Sequence, residues 1–247
     1  MADENQILRN RFKELYNRSY NRGIYTYSDF LNMHEQTLLY QDMKYGYTLW
    51  GGYEDAERKI VCFGDENNFG YPPQPPISVL LVAPLSEKFS DDLTHRDFLG
   101  SILGLGIKRE TIGDIIISNN KGYVICLDSI AQYIIDNLTK VRHTSVYCES
   151  CDTLPTDALP QPTEKTVIVS SLRLDGIISG VYNISRSKSS ALIDSERVFI
   201  NGKLTVSNSA PLKEEDIISV RGQGRFRFKE ISGDTRKGRI RILCEVY

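Results

Sequence analysis

The chain has 247 residues, which is enough for two or three small domains. Its composition, 40% hydrophobic and 25% charged, is that of an ordinary soluble globular protein. The first residues are polar and charged, which argues against a secretory signal, and no apolar run approaches the roughly 20 residues that span a bilayer. We therefore expect a cytoplasmic protein.

The net charge of −2 hides an uneven distribution along the chain. Residues 171–247 hold 14 Lys and Arg against 9 Asp and Glu, whereas residues 1–170 hold 16 against 23. The net charges of these two parts are therefore +5 and −7. Because a local excess of cations is the electrostatic footprint of a nucleic-acid site, any such site is expected in the last part.

Two proline clusters, at 71–76 and 154–162, predict linkers, because proline lacks a backbone donor and disfavours helix in the preceding residue. We predict an α+β protein with a mainly helical N-terminal domain, a βαββαβ middle domain and a C-terminal domain of two helices with a β-hairpin tail. The corresponding boundaries are 1–74, 75–154, a linker with the strand leading into the last domain at 155–168, and 169–247.

The first segment is predicted to contain a helix over 4–20 and a second helix capped by Ser28. Eight tyrosines fall within residues 1–53. Aromatic rings can stack on nucleic-acid bases, but packing between helices is the better explanation here.

The middle segment alternates strand and helix in the βαββαβ order of the ferredoxin-like fold, which RNA-recognition modules share. Lys121, Gly122 and Tyr123 match the aromatic RNA-binding motif of that fold. Ile125, however, stands where a second stacking ring is wanted, so base stacking on this sheet is the weaker hypothesis. The predicted strands and helices are 77–85, 94–106, 113–118, 121–128, 129–140 and 144–150.

In the last segment, Leu174, Ile177, Ile178 and Val181 are spaced to form one buried stripe on a helix. Ser185 is a suitable N-cap for a second helix. Further on, the pair Asn201–Gly202 between apolar residues predicts a tight β-hairpin turn.

The start of the second helix is a candidate for phosphate binding, because free backbone N–H groups and the helix dipole attract anions there. An ordinary capped helix with exposed charges is the alternative. Arg173, beside Asp175, is equally suited to an internal ion pair and to a nucleic-acid contact. Arg197 and Lys203 flank the hairpin turn and are weaker candidates. The residues expected to contact the nucleic acid are Arg173, Ser185, Arg186, Ser187, Lys188, Arg197, Lys203, Arg221, Arg225, Arg227, Lys229, Arg239 and Arg241.

The tail sequences RFRFK (225–229) and RIRI (239–242) alternate cations with apolar residues. If these strands pair with partners of equal parity, the apolar residues share the inner face and five cations share the outer one. Such pairing requires an odd-length loop or a bulge. We expect the cationic side chains of this domain to crowd onto one side of it.

Several strings suggest catalysis or metal binding without the residues needed to support it. RLDGIISG (173–180) resembles the catalytic motif of pseudouridine synthases, but only 67 residues follow it. His95, Arg96 and Asp97 match a kinase triplet without its companion motifs, and a capping box from Thr94 to Asp97 explains them better. Cys148 and Cys151 lack a second ligand pair. We expect no enzyme activity, cofactor, metal or small-molecule substrate.

Residues 171–228 resemble an S-four-type (alpha-L) RNA-binding domain in the ordered strings RLD, SRS, VFING, DIISVRG and GRF. Together with GGYEDAERKIVCF (51–63) and LTHRDFLGSILGLGIKRETIGDIII (93–117), they make the whole chain similar to the YlmH family of bacterial S-four proteins. The resemblance implies a three-domain architecture and RNA binding without known catalysis. It also implies that the start of the second helix, with Ser185, Arg186, Ser187 and Lys188, faces RNA.

The same resemblance implies association with the large ribosomal subunit in ribosome-associated quality control, with contacts to ribosomal RNA and peptidyl-tRNA. Two alternatives remain at this point. One is an RNA-modifying enzyme, such as a pseudouridine synthase, and the other is a cell-division interaction protein for which RNA binding is incidental.

Overall fold

The computed structural model describes residues 2–159, 161–236 and 238–247, without the side chains of Ala2, Asp3 and Phe89. The chain forms two compact units with the boundary between residues 159 and 160, inside the predicted linker. Both units contain helices and sheet, which confirms the α+β class. Within the described residues, no helix has the length and apolar character needed to cross a membrane.

The first 74 residues combine helices with a small antiparallel sheet in the order β1-β3-β2. The prediction of a mainly helical segment omitted this sheet, because its strands are only two to four residues long. The elements are α1 (Ala2–Arg22), β1 (Thr26–Tyr27), α2 (Met33–Asp42), β2 (Tyr47–Trp50), β3 (Ile60–Phe63) and α3 (Glu66–Phe69).

The second helix begins later than predicted. Its N-cap is Asn32, whose side chain accepts hydrogen bonds from the backbone N–H groups of His34 and Glu35. Ser28 instead accepts a hydrogen bond from the backbone N–H of Val61 at 2.9 Å. Ser28 therefore serves the small sheet, and its capping role was wrongly predicted because a serine hydroxyl suits both tasks.

Tyrosines of this segment pack against one another and against phenylalanines. Tyr16 lies 4.5 Å from Tyr20 between ring centroids and meets Phe63 edge-on at 6.2 Å. Gly46 makes this packing possible, because a Cβ there would lie 2.8 Å from the ring of Tyr16. These contacts support packing over base stacking as the use of the rings.

Residues 77–151 form a five-stranded antiparallel sheet in the order β5-β6-β4-β8-β7. The sequence of strands and helices follows the predicted βαββαβ order, with the short β7 added. The elements are β4 (Ile77–Pro84), α4 (His95–Gly104), β5 (Ile112–Ser118), β6 (Lys121–Leu127), α5 (Asp128–Asn137), β7 (Lys140–Val141) and β8 (Thr144–Cys151).

Helices α4 and α5 cover one face of this sheet, where Phe98 and Ile134 pack with Leu80 and Val124. The predicted capping box at the start of α4 is confirmed. Asp97 accepts hydrogen bonds from both the backbone N–H and the hydroxyl of Thr94, which lowers the pKa of its carboxyl. The triplet at 95–97 thus begins a helix, as the capping interpretation required.

The second unit is a six-stranded antiparallel sheet in the order β11-β10-β12-β13-β14-β9, with two helices packed on one face. The predicted stripe from Leu174 to Val181 is buried in its core, with at most 3% of each side chain exposed. The elements are β9 (Thr163–Val169), α6 (Leu174–Tyr182), α7 (Arg186–Asp194), β10 (Val198–Ile200), β11 (Lys203–Leu204), β12 (Ile217–Val220), β13 (Gly224–Asp234) and β14 (Ile240–Val246).

The predicted tight turn joins β10 and β11. Ile200 pairs with Lys203 across a two-residue loop, and both Asn201 and Gly202 have positive φ, at 50° and 75°. Two successive positive φ values are what a type I′ turn requires, and asparagine and glycine adopt them most readily. The hairpin prediction is therefore confirmed.

Candidate nucleic-acid interface

The start of α7 presents an exposed group of polar and cationic side chains. Ser185 is its N-cap, and its hydroxyl accepts a hydrogen bond from the backbone N–H of Lys188 at 3.2 Å. The Ser187 hydroxyl lies 3.0 Å from that of Ser185. Arg186, Ser187 and Lys188 are exposed, so the predicted combination of helix start, hydroxyls and cations is present in the fold.

Asp175 connects the starts of the two helices. One carboxylate oxygen pairs with Arg173 Nε at 3.0 Å and the other with an Arg186 terminal nitrogen at 3.1 Å. Of the two roles considered for Arg173, the internal ion pair is therefore observed. The Asp175 side chain is only 8% exposed, whereas those of Arg173 and Arg186 are 44% and 53% exposed.

The cations next to β10 and β12 have structural contacts of their own. Arg197 donates a hydrogen bond to the backbone carbonyl of Arg221 at 2.8 Å. The Arg221 guanidinium lies 5.8 Å from the ring centroid of Phe199, a cation–π distance. Lys203 is exposed in β11.

The register of the tail hairpin has the predicted parity. Phe226 pairs with Val246 and Phe228 with Cys244, two register shifts follow toward the turn, and Asp234 and Ile240 are separated by five residues along the chain. Phe226 and Phe228 are buried in the core beneath the helices. The alternating cations of β13 consequently belong to the outer face of the sheet.

These outer-face cations are engaged by groups of the same unit. Lys229 Nζ lies 2.9 Å from Glu215 and 3.7 Å from Glu245, and Arg227 lies 3.5 and 3.8 Å from the same carboxylates. Arg225 is 9% exposed, and its guanidinium lies 4.5 Å from the ring centroid of Tyr247. The two carboxylates thus balance much of the charge of Arg227 and Lys229. The spacing of residues in the sequence did not indicate these contacts.

Arg239 and Arg241 differ from the other tail cations because they lie exposed at the far end of the hairpin. Arg236, in the same connection, is also exposed and was missed among the candidates. The sequence has a run of cations from 236 to 241, but the strand alternation that selected the candidates ends before the turn.

The predicted cations do not share one side of the unit. The helices, with Arg173 and Arg186, lie on the face of the sheet that carries Phe226 and Phe228, whereas Arg225, Arg227 and Lys229 alternate onto the opposite face. The expectation of a single cationic side is therefore wrong. The cause is that strand parity alone does not show how cations on the sheet lie relative to cations on the helices that pack against it.

The second face of the middle sheet is largely covered by the chain itself. Ile125 is fully buried and packs in one cluster with Phe30, Ile60 and Val79, while Tyr123 is half-buried at its margin. A short 3-10 helix at Thr156–Ala158 lies against β5. Base stacking on this face, the weaker hypothesis from the sequence, is therefore not supported by the structure.

The cysteine pair lies on opposite faces of β8. Cys148 packs with the core beneath the helices, whereas Cys151 packs with the cluster on the other face. Burial raises the pKa of the Cys148 thiol to about 12, so it is protonated at neutral pH. In the part of the chain that the structure describes, no group of His, Cys, Asp and Glu side chains is arranged to hold a metal ion.

A cationic helix start and a basic hairpin end are features of a nucleic-acid-binding protein. A family profile described as "Putative RNA-binding domain in YlmH" matches residues 78–154. The chain is also 30% identical over 225 residues to "Ribosome-associated protein quality control protein P2" of Bacillus subtilis (strain 168), covering 88% of this chain and 86% of that protein. The chain belongs to the YlmH family.

A similar solved structure is "Cell division protein ylmH from Streptococcus pneumoniae", with 20% identity, coverage of 60% of this chain and 91% of that one, and a TM-score of 0.47. The family profile covers the middle segment, whereas the predicted RNA contacts all lie in residues 171–247. The profile therefore indicates a second candidate region for RNA binding, although one face of its sheet is largely covered.

Proposed function

We propose that this protein is a non-catalytic RNA-binding protein that associates with the large ribosomal subunit and contacts ribosomal RNA and peptidyl-tRNA in ribosome-associated quality control. The relative in Bacillus subtilis and the RNA-binding profile support the RNA-binding, ribosome-associated part of this role. The observation that carries the proposal is the exposed start of α7, where Arg186 and Lys188 surround a capped helix end. Such a protein would act in the cytoplasm, without a membrane partner.

The domain assignment follows from the same resemblance. Residues 1–74 would form the N-terminal domain, 75–154 an RRM-like domain and 169–247 an S-four-type domain, joined by the linker and strand of 155–168. The antiparallel sheet with two helices on one face supports the middle assignment. The helix pair followed by the β10–β11 hairpin supports the last one.

Binding at the start of α7 would rest on charge and shape. Backbone N–H groups of the first helical turn and the helix dipole favour a phosphate oxygen. Arg186 and Lys188 would add charge-assisted hydrogen bonds to the same phosphate or its neighbour. This kind of recognition is largely independent of base sequence and weakens as salt rises.

The hairpin end is a second basic region that the same RNA could reach. Ile240, between Arg239 and Arg241, is paired with Val169, and only four residues lead from Val169 to Arg173. Four residues span at most about 14 Å, and paired strands lie about 5 Å apart. The backbone of the hairpin end therefore lies within roughly 20 Å of Arg173, close enough for one folded RNA to contact both.

Contacts from the middle domain would use its loops or edges. The sheet face on which RNA-recognition modules stack bases is occupied by Phe30 and Ile60 around Ile125. In this proposal the middle domain supplies shape and backbone contacts, and the last domain supplies most of the positive charge.

The test is co-sedimentation of the purified protein with bacterial large ribosomal subunits over a series of salt concentrations. We expect the wild type to sediment with the subunits at low salt, and Arg186→Ala combined with Lys188→Ala to lose most of this association. Lys13→Ala, which removes an exposed cation from α1, is the control and should behave like the wild type. Failure of the wild type to sediment with subunits at low salt would refute the proposal.

A further inference from the structure

Asp175 is an unusual residue for an RNA-binding surface because its carboxylate repels phosphate. It is nevertheless buried, with only 6% of the residue exposed, on the first turn of α6. A buried carboxylate is costly unless it is paired and hydrogen-bonded. Its partners therefore indicate what it does.

Those partners are two arginines, one bound to each carboxylate oxygen. Arg173 precedes α6, and Arg186 is the first residue of α7. Without an anion between them, two guanidinium groups this close would repel each other and disperse. Asp175 holds them side by side at the point where both helices begin.

The pairing uses only part of each guanidinium. Each arginine carries five N–H donors, and the two contacts to Asp175 involve Nε of Arg173 and one terminal nitrogen of Arg186. Both side chains are about half exposed, so solvent and a ligand can reach them. Planar guanidinium groups that are fixed in this way bind phosphate with little further loss of side-chain entropy.

The surrounding backbone is fixed by the same residue. The backbone N–H of Asp175 donates to the carbonyl of Asn208, and the side chain of Asn208 accepts a hydrogen bond from the Ser190 hydroxyl on α7. Asp175 thus joins α6, α7 and the loop at 208 in one hydrogen-bonded arrangement. Its role extends beyond a single ion pair.

We infer that Asp175 is a positioning residue that holds Arg173 and Arg186 as a two-arginine clamp for a backbone phosphate of RNA. The inference rests on the proposed RNA-binding function and adds to it a residue that does not itself touch the RNA. It predicts an unusual direction for the change in RNA affinity. Removing an acidic charge normally strengthens RNA binding, whereas removing this one weakens it.

The experiment measures filter binding of purified bacterial large-subunit ribosomal RNA at about 0.1 M salt, near physiological ionic strength. Asp175→Asn should bind about tenfold more weakly than the wild type, because one well-placed contact to a charged group is worth about that factor. Asp194→Asn, which removes an exposed acidic charge at the far end of α7, should bind as tightly as the wild type or slightly more tightly. The two variants change the net charge equally.

A second comparison separates positioning from general stability. In a background that already carries Arg173→Ala and Arg186→Ala, Asp175→Asn should change the affinity for RNA by less than about twofold, because no arginines remain to be positioned. Arg186→Lys retains the charge without the planar fork, so it should also weaken binding by several-fold if the clamp exists. This variant keeps the test decisive even if Asp175→Asn folds poorly.

The outcomes are distinguishable. If the arginine double variant binds weakly while Asp175→Asn and Arg186→Lys both match the wild type, the clamp is refuted and the proposed function stands. A large effect of Asp175→Asn in the arginine-free background would assign Asp175 to stability alone and would equally overturn the clamp. If the wild type itself binds no ribosomal RNA in dilute buffer, the proposed function fails first.

Discussion

Arg227 and Glu245 are direct partners across the ladder of β13 and β14, and their side chains form a salt bridge of 3.8 Å. Glu215 approaches the same outer face and bonds Lys229 at 2.9 Å. The hydrogen bond from Lys229 lowers the pKa of Glu215 below its ordinary value, so this carboxylate is charged at neutral pH. Any RNA phosphate reaching these cations must compete with two carboxylates already in place.

The competition predicts that Glu215→Gln strengthens RNA binding. Losing one competing carboxylate should raise the affinity for large-subunit ribosomal RNA by about two- to fivefold at low salt, because an exposed ion pair contributes only modestly. Filter binding measures the change. Since the lowered pKa keeps Glu215 ionised throughout, the gain should be the same at about pH 6 and pH 8.

Glu214→Gln is the matched control for this prediction, because Glu214 is the exposed neighbour of Glu215 and carries the same charge. A general electrostatic effect would raise the affinity equally in both variants. Equal gains, or no gain in Glu215→Gln, would mean that the outer face of β13 does not contact RNA.

The tail arginines are expected to divide into two groups, one that contacts RNA and one that stabilises the fold. Arg239→Ala with Arg241→Ala should flatten the logarithmic salt dependence of RNA binding by about 1.4–1.8, because each lost phosphate contact changes the slope by about 0.7–0.9. Arg225→Ala should instead reduce stability by about 0.5–2 kcal/mol, since this residue is buried over Tyr247. Salt titrations and urea unfolding measure the two effects.

The reverse pattern would contradict this division. A salt slope that changes only in Arg225→Ala would mean that Tyr247 moves aside and leaves Arg225 to the RNA. An unchanged slope in the Arg239 and Arg241 double variant would remove the hairpin end from the interface.

Local rules predicted much of the second unit because its elements are set by neighbours in sequence. The stripe from Leu174 to Val181 follows helical periodicity, the Asn201–Gly202 turn follows backbone preference, and the parity of β13 and β14 follows strand alternation. The structure agrees with each of these predictions. None of them depends on distant parts of the chain.

Features set by distant partners were not predictable in the same way. Nothing near Lys229 indicates that Glu215, fourteen positions earlier, would engage it, because that contact depends on strand order. Ser28 was assigned to a helix because its pairing with Val61 crosses 33 residues. The cover over Ile125 likewise comes from Phe30 and Ile60, which belong to a segment that the sequence predicted as a separate domain.

Two sequence segments that support the family resemblance, 51–63 and 93–117, are hydrogen-bonded to each other through Asp114. Its carboxylate accepts hydrogen bonds from the Tyr53 hydroxyl at 2.9 Å and from the backbone N–H groups of Glu57 and Arg58 at 2.7 and 3.1 Å. Arg58 in turn donates to the carbonyls of Ile112 and Phe30, each at 2.9 Å. The strings at 51–63 and 93–117 therefore form one structural junction.

This junction predicts that Asp114→Ala destabilises the first unit by about 2–4 kcal/mol, because it leaves several donors without their charged acceptor. Trp50, the single tryptophan of the chain, lies near the junction in sequence and reports on this unit by its fluorescence during urea unfolding. Asp92→Ala, at an exposed position, should change stability by less than about 0.5 kcal/mol. If the two variants have the same stability in urea unfolding, Asp114 does not stabilise the contact between these two segments.

The covered sheet face leads to a final prediction at Ile125, where RNA-recognition modules would carry a stacking ring. Restoring a ring with Ile125→Tyr should not create a base-binding site, because the side chain is fully buried and a Cβ on Gly52 would already lie 3.1 Å from it. We expect a loss of stability of about 1–3 kcal/mol from overpacking and no gain in affinity for ribosomal RNA. Tyr123→Ala, at the half-buried margin of the same face, should leave the salt dependence of RNA binding unchanged. A stable Ile125→Tyr protein with tighter RNA binding would show that the N-terminal cover opens and that this face takes part in recognition.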